Sequence, residues 1–301
     1  MADHPTARPP LAARAAVAVR PEYVRDEVRE QDIGVVLKPL TAWERIYANG
    51  YFRKGLILVV LAAIWQAYGV YLNNPLILPT FGATLQAFLE RTVTGELPVK
   101  AWVSVKVLLQ GYAIGLVLAL AFTIAAITTR IGNDLLETLT AMLNPLPAIA
   151  LLPLAMIWLG LGNPSIIFVL VHAVMWPIAL NTHSGFQSVS GTLRMVGRNY
   201  GLTGIRYVVQ ILIPAAFPSI LAGLKIGWAF AWRTLIAAEL VFGTTSGSGG
   251  LGWFIYENKN TLDIPAVFAG LFTVIVIGLL VESLIFRVAE RRTIRKWGMH
   301  T

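Results

Sequence analysis

Six stretches of this chain stay apolar for longer than a soluble core requires, at about Gly55–Leu72, Trp102–Ile127, Leu136–Leu159, Ser165–Phe186, Ser219–Phe242 and Ala266–Ala289. A bilayer core about 30 Å thick is crossed by roughly 20 apolar residues of α-helix, and helix is required because lipid offers no partner to an open peptide group. The expected fold class is therefore all-α integral membrane, with about six transmembrane helices. Charged residues are only 13% of the chain and mean hydropathy is +0.67, so no block of sequence is left for a soluble catalytic domain. The chain has no cysteine, which excludes disulfides, thiolate metal sites and cysteine nucleophiles.

Residues 1–45 are rich in Pro, Ala, Arg and Glu and read as a mobile cytoplasmic tail, followed by a surface helix around Trp43–Tyr51 and a permease domain over 46–301. The short apolar run Leu11–Val19 is broken by Arg14, which argues against a signal peptide. Thr80–Thr92 is too polar to cross and is expected as a short helix on the outer surface. No internal repeat of the inverted kind is visible.

The net charge of +8 is distributed by side rather than gathered for nucleic acid. With the N-terminus inside, cytoplasmic segments hold eighteen Lys and Arg, against Arg91, Lys100 and Lys259 outside. Retention of positive charge in the cytoplasm fixes this orientation, with both termini inside. The polar interruption LRMVGRNYGLTGIRYVVQILIPAAFP, Leu193 to Pro218, then faces the cytoplasm. Leu193, Val196 and Tyr200 recur at helical spacing with Arg194 and Arg198 one turn apart beside them, so this part reads as a short amphipathic helix. Gly201 and Gly204 break it, a second short helix Ile205–Ile213 is expected to stop at Pro214, and Pro218 suits the first turn of the next span.

This pattern resembles the cytoplasmic coupling loop of ABC-importer permeases: Glu-Ala-Ala, three residues, Gly, nine residues, then Ile-x-Leu-Pro. The glycine falls on Gly201 and the terminal element on Ile211, Leu212, Ile213 and Pro214, with both spacings kept. Met195, Val196 and Gly197 stand where the family has Glu-Ala-Ala, so the acidic contact is missing. Three further stretches resemble permeases of the nitrate, sulfonate and taurine branch: Gly223–Leu240, Leu146–Ser165 and Pro177–Val189. Together the resemblances cover roughly 140–290.

Polar residues inside the spans are the candidates for a path, because an ionisable group left in lipid costs several kcal/mol. At about 1.5 Å per residue from Ser219, Lys225 lies roughly 9 Å in and is expected to snorkel, whereas Arg233 lies about 21 Å in and Glu239 about 30 Å. Arg233 reads either as an attractor of an anionic substrate or as half of a buried pair with Glu239 or Glu282. His172, Trp176, Trp232 and Glu239 complete the path candidates, and His183 reads as a packing residue. Asn144, Pro145, Pro147 and Pro153 interrupt the third span and Pro177 the fourth, which is tolerated where a helix faces protein or a water-lined cavity. Gly223, Gly227 and Ala231 form a small-residue seam suited to close helix packing. Gly247, Gly249 and Gly252 satisfy a dinucleotide fingerprint literally, but follow a membrane span instead of a strand.

The resemblance implies a type I ABC-importer permease fold with a coupling loop at 190–218. Its ATPase contacts would be Leu193, Arg194, Val196, Arg198, Tyr200, Gly201 and Pro214. It implies a second permease copy as homodimer partner, ABC ATPase subunits that carry the ATP, an extracytoplasmic substrate-binding protein, and a place in the bacterial inner membrane. No cofactor, metal, catalytic residue or nucleic-acid partner is expected of this chain. The cargo it implies is a small anion of nitrate, sulfonate or taurine type, with bicarbonate, cyanate or a pyrimidine vitamin precursor as the alternative. From another class, an ion-coupled secondary transporter would use Glu239, Glu282 and the histidines as a relay.

Overall fold

A computed structural model of the chain describes Glu44, residues 47–242 and residues 249–294. The expected mobile tail lies outside the described residues apart from Glu44. Two units divide between Leu56 and Ile57. In the described part of the first, Arg53 donates to the carbonyl of Tyr47 at 3.1 Å.

Helix α1, Gly50–Leu72, has one buried residue, Gly69. Its later half is held by Trp65 Nε1 donating to Pro79 O at 2.9 Å and by Gln66 Oε1 accepting from Gly82 N. Helix α2, Phe81–Val93, is capped by the Thr80 side chain and realises the expected short helix. Arg91 ties its end to Glu96 at 2.7 Å and to Asp263 at 2.8 Å. Its guanidinium is held above its ordinary value mainly by the hydrogen bond to Glu96, with the charges of Glu96 and Asp263 adding to it against burial.

Helix α3, Glu96–Thr128, crosses in one run. The third expected span, Leu136–Leu159, is not one helix: α4, Arg130–Leu143, and the run Ala148–Leu159, whose α-helical part is α5 (Leu152–Leu159), meet at 88°. The break falls where Pro145 and Pro147 remove two helical donors on either side of Leu146, while Pro153 sits in the first turn of α5 and breaks nothing. Five helices among the described residues are long and apolar enough to cross, or six if the bent pair counts as one span.

Helix α6, Asn163–Gln187, lies at the centre, with 67% of its apolar window buried. Water does not drive helices together inside lipid, so closeness of packing must hold them. On one flank a Cβ added at Gly111 or Gly115 of α3 would stand 2.6 Å from Leu170 or 2.8 Å from Val174 of α6. On the other, a Cβ added at Gly223 would stand 2.8 Å from Asn181 and one added at Gly227 3.1 Å from Ile178. Ala231 is fully buried, which completes the expected seam. The Gly111 and Gly115 seam is a second one that the sequence reading missed.

After α7, Gly191–Asn199, the short helix α8, Gly204–Tyr207, passes through a π turn, Val208–Leu212, into α9, Ile213–Phe242. Pro214 therefore does not stop a helix, contrary to expectation, and Pro218 lies inside α9 rather than at its start. The π turn explains this: Ile213 N reaches back five residues to Val208 O, and the widened turn gives the Pro214 ring room that an α turn denies. Helix α10, Leu251–Asn260, leads to α11, Ile264–Leu280, which continues through a π turn at Val281–Phe286 into α12, Arg287–Arg292. Lys225 does not snorkel but pairs with Glu282 at 2.9 Å, tying α9 to that second π turn.

Candidate functional site

A cavity of 330 Å³ opens where the α4 break meets α6 and α9. Each wall follows from helical periodicity. His172 and Trp176 are one turn apart on α6, Phe230 and Thr234 one turn apart on α9, and Arg233 lies beside them; the break from Asn144 to Pro147 and the start of the 3-10 turn at Ala148 and Ile149 close the third side. About 1.5 Å per residue puts His172 roughly 23 Å from the Gln187 end of α6, well into the span.

Three of the five path candidates, Arg233, His172 and Trp176, meet in this cavity. Arg233 Nε donates to Ala229 O at 3.0 Å and the guanidinium lies 5.0 Å from the Phe230 ring centre. Both carboxylates offered as its partner are engaged elsewhere: Glu282 with Lys225, and Glu239 with Ser104 and the Gly252 amide. The paired reading of Arg233 is thus replaced by a cation without a carboxylate among the described residues. Both ring nitrogens of His172 and Nε1 of Trp176 are buried and find no hydrogen-bond partner among the described residues. The cavity therefore offers one positive charge and orphaned polar groups within apolar walls.

The structure places Trp232 and Glu239 elsewhere. Trp232 is buried in the core and donates to Val274 O at 3.3 Å. Glu239 accepts from Ser104 Oγ and from Gly252 N, each at 2.8 Å, while Ser104 Oγ accepts from Leu251 N at 2.8 Å. This buried knot fastens the start of α10 to α3 and α9. Residues 243–248 of the glycine-rich loop lie outside the described residues. Ser104→Ala removes a donor from a buried carboxylate and the acceptor of a buried amide, at about 1–3 kcal/mol. The expected result is a melting temperature in detergent lower by about 2–10 °C, and an unchanged melting curve would mean that the knot contributes nothing. His183 is buried, with Gln187 Nε2 3.4 Å from its Nε2. Thr234 and Phe230 were missed by the sequence reading, although both share the Arg233 side of α9.

The amphipathic helix expected from Leu193 is α7, capped by Ser190 and ended by Gly201 at φ +70, where glycine carries no strain. Its two sides differ. Leu193 packs with Phe186, Val189, Leu212 and Ala216, and Arg194 donates to Val189 O at 3.1 Å and Phe186 O at 2.6 Å. Arg198 points outward beside Val196, 40% exposed, and Tyr200, 81% exposed.

The family described as binding-protein-dependent transport system inner membrane component matches this chain over residues 105–294, more than half of its length and inclusive of both the cavity and α7. The chain belongs to that family. As such a transport component it is a multi-pass membrane protein. It is 30% identical to the nitrate import permease protein NrtB of Synechocystis sp., over 80% of this chain and 88% of that protein. It is 31% identical to the putative aliphatic sulfonates transport permease protein SsuC of Escherichia coli, over 81% and 90%. Likewise it is 29% identical to the taurine transport system permease protein TauC of Escherichia coli, over 79% and 86%. Within the permease family the matched segment begins at Val105, inside α3, so α1 and α2 lie before it.

Proposed function

We propose that this permease component translocates a small anion of nitrate, sulfonate or taurine type through the cavity between α6, α9 and the α4 break. The observation that carries this reading is Arg233, a cation that faces the cavity without a carboxylate partner among the described residues, with the unpaired His172 and Trp176 nitrogens beside it. Those groups suit an anion rich in acceptor oxygens, since a guanidinium and N–H donors bond such oxygens strongly. The names of the three relatives point to the same class of cargo.

In this reading an extracytoplasmic binding protein delivers the anion, and ATP is hydrolysed on separate ABC ATPase subunits. Two copies of this chain form the membrane core, and both termini lie in the cytoplasm. The outward side of α7, with Val196, Arg198 and Tyr200, contacts the ATPase. The partly buried Leu193 and Pro214 and the exposed Gly201 that ends α7 shape that helix and its continuation rather than touch the partner.

Reconstitution in proteoliposomes with the ATPase and binding protein encoded beside it tests the proposal. Uptake would be measured across sulfonates, nitrate, bicarbonate, cyanate and pyrimidine precursors. ATP-dependent uptake of an oxyanion that needs all three components is the expected outcome. Uptake driven by an ion gradient without the ATPase would overturn it.

A further inference from the structure

Helix α7 meets the two walls of the cavity through two different joints. One is Arg194, whose fork of donors reaches back into the three-residue link Ser188–Ser190 at the Val189 carbonyl and beyond it to the Phe186 carbonyl of α6. The Phe186 carbonyl stands in the last turn of α6, where the helix dipole favours a cation, and the Val189 carbonyl belongs to the link itself. The other joint is apolar: Gly197 lets Tyr207 and Ile211 come so close that a Cβ there would stand 2.9 and 3.0 Å from them. That second contact leads through the π turn into α9.

A three-residue link alone lets two helices swivel. Two directional bonds from one planar side chain, one to the link and one to α6, fix the angle between α7 and α6, and lysine, whose donors all sit on one rotatable nitrogen, cannot reproduce that fork. Arg194 is half-buried and already bound, unlike Arg198 and Tyr200, which are free to meet a partner. We infer that Arg194 is a positioning residue that makes the α6–α7 elbow rigid, so that displacement of α7 by the ATPase reaches the His172 and Trp176 wall. This rests on the proposed docking of the ATPase at α7. Arg194 acts through α6 and touches neither ATPase nor cargo.

The test uses the reconstituted three-component system with Arg194→Ala and Arg194→Lys, reading ATPase copurification, ATP turnover, and anion taken up per ATP hydrolysed. Copurification and ATP turnover are expected to match the unsubstituted chain while uptake per ATP falls about tenfold in Arg194→Ala. Arg194→Lys is expected to recover less than half of that loss. A cap that merely stabilised the fold would lower yield and melting temperature but leave the ratio intact, and a ratio unchanged from the unsubstituted chain would overturn the inference. Copurification that fell together with uptake would return Arg194 to the docking surface and also overturn it. If Arg194→Ala fails to insert, Arg194→Lys decides by the same ratio. Failure of the unsubstituted chain to bind the ATPase would remove the underlying docking reading instead, and is recognised because it appears without any substitution.

Discussion

Arg233→Gln is expected to lower anion uptake in the reconstituted system by about 10- to 100-fold while ATPase copurification stays at the unsubstituted level. The size follows from the bond at stake. A hydrogen bond to a charged group contributes about 1.5–3 kcal/mol, and about 1.4 kcal/mol is tenfold. Glutamine keeps much of the length and a donor but removes the charge and the fork. Arg233→Lys restores the charge without the fork and is expected to fall between. The side chain's contacts within the chain, the Ala229 carbonyl and the Phe230 ring, ask little of a full positive charge. Uptake by Arg233→Gln at the unsubstituted rate would show that the cation serves packing alone, and the cavity would lose its claim on an anionic cargo.

The second large effect is expected from Arg198→Ala combined with Tyr200→Ala. Tyr200 is 81% exposed and Met195 60% exposed on the same short helix, an apolar patch with a cation beside it and no covering element among the described residues. Tyr and Arg are the residues whose truncation most often costs about 2 kcal/mol or more at an interface. Losing both is expected to weaken ATPase association about 100-fold or more and to take uptake to background. Membrane insertion and the melting curve are expected to hold, because neither side chain packs inside the fold. Copurification equal to that of the unsubstituted chain would remove the outward side of α7 as the docking surface.

The spans and α7 were legible in the sequence because each is a local property: a run of apolar residues, or a 3.6-residue period bounded by breakers. The break in the third span was legible too, from Asn144, Pro145 and Pro147, although its 88° angle was not, since local breakers say where a helix ends and not where the chain turns next. Pro214 misled for a related reason. A proline stops an α turn but is accommodated where the preceding turn has widened, and nothing in the residues Val208–Leu212 announces a π turn.

Partner choice was the least legible. Glu239 was considered for Arg233, yet it is engaged by Ser104, far away in the sequence, and by the Gly252 amide. Lys225 was expected to snorkel, yet α11 and its π turn bring Glu282 to it. Arg194 looked like a docking residue from its spacing to Arg198, and only the fold shows its guanidinium turned back on α6. Such pairings are set by which helices pack together, and a single sequence shows each face without showing what lies across it.

The π turn at Val208–Leu212 also gives the helix that carries Arg233 one place with slack in its indexing. A π turn holds one more residue than the α turn it replaces, so deleting one residue there would keep the facing of both ends but return the Pro214 ring to an α turn that denies it room. An inserted residue after Pro218 finds no such slack. It turns everything beyond it by about 100° and carries Arg233 off the cavity wall. The angular relation between the Tyr207 end and the Arg233 end of this rod is therefore written in a count of residues, to which the stretch between Tyr207 and Ile213 adds the one that Pro214 requires.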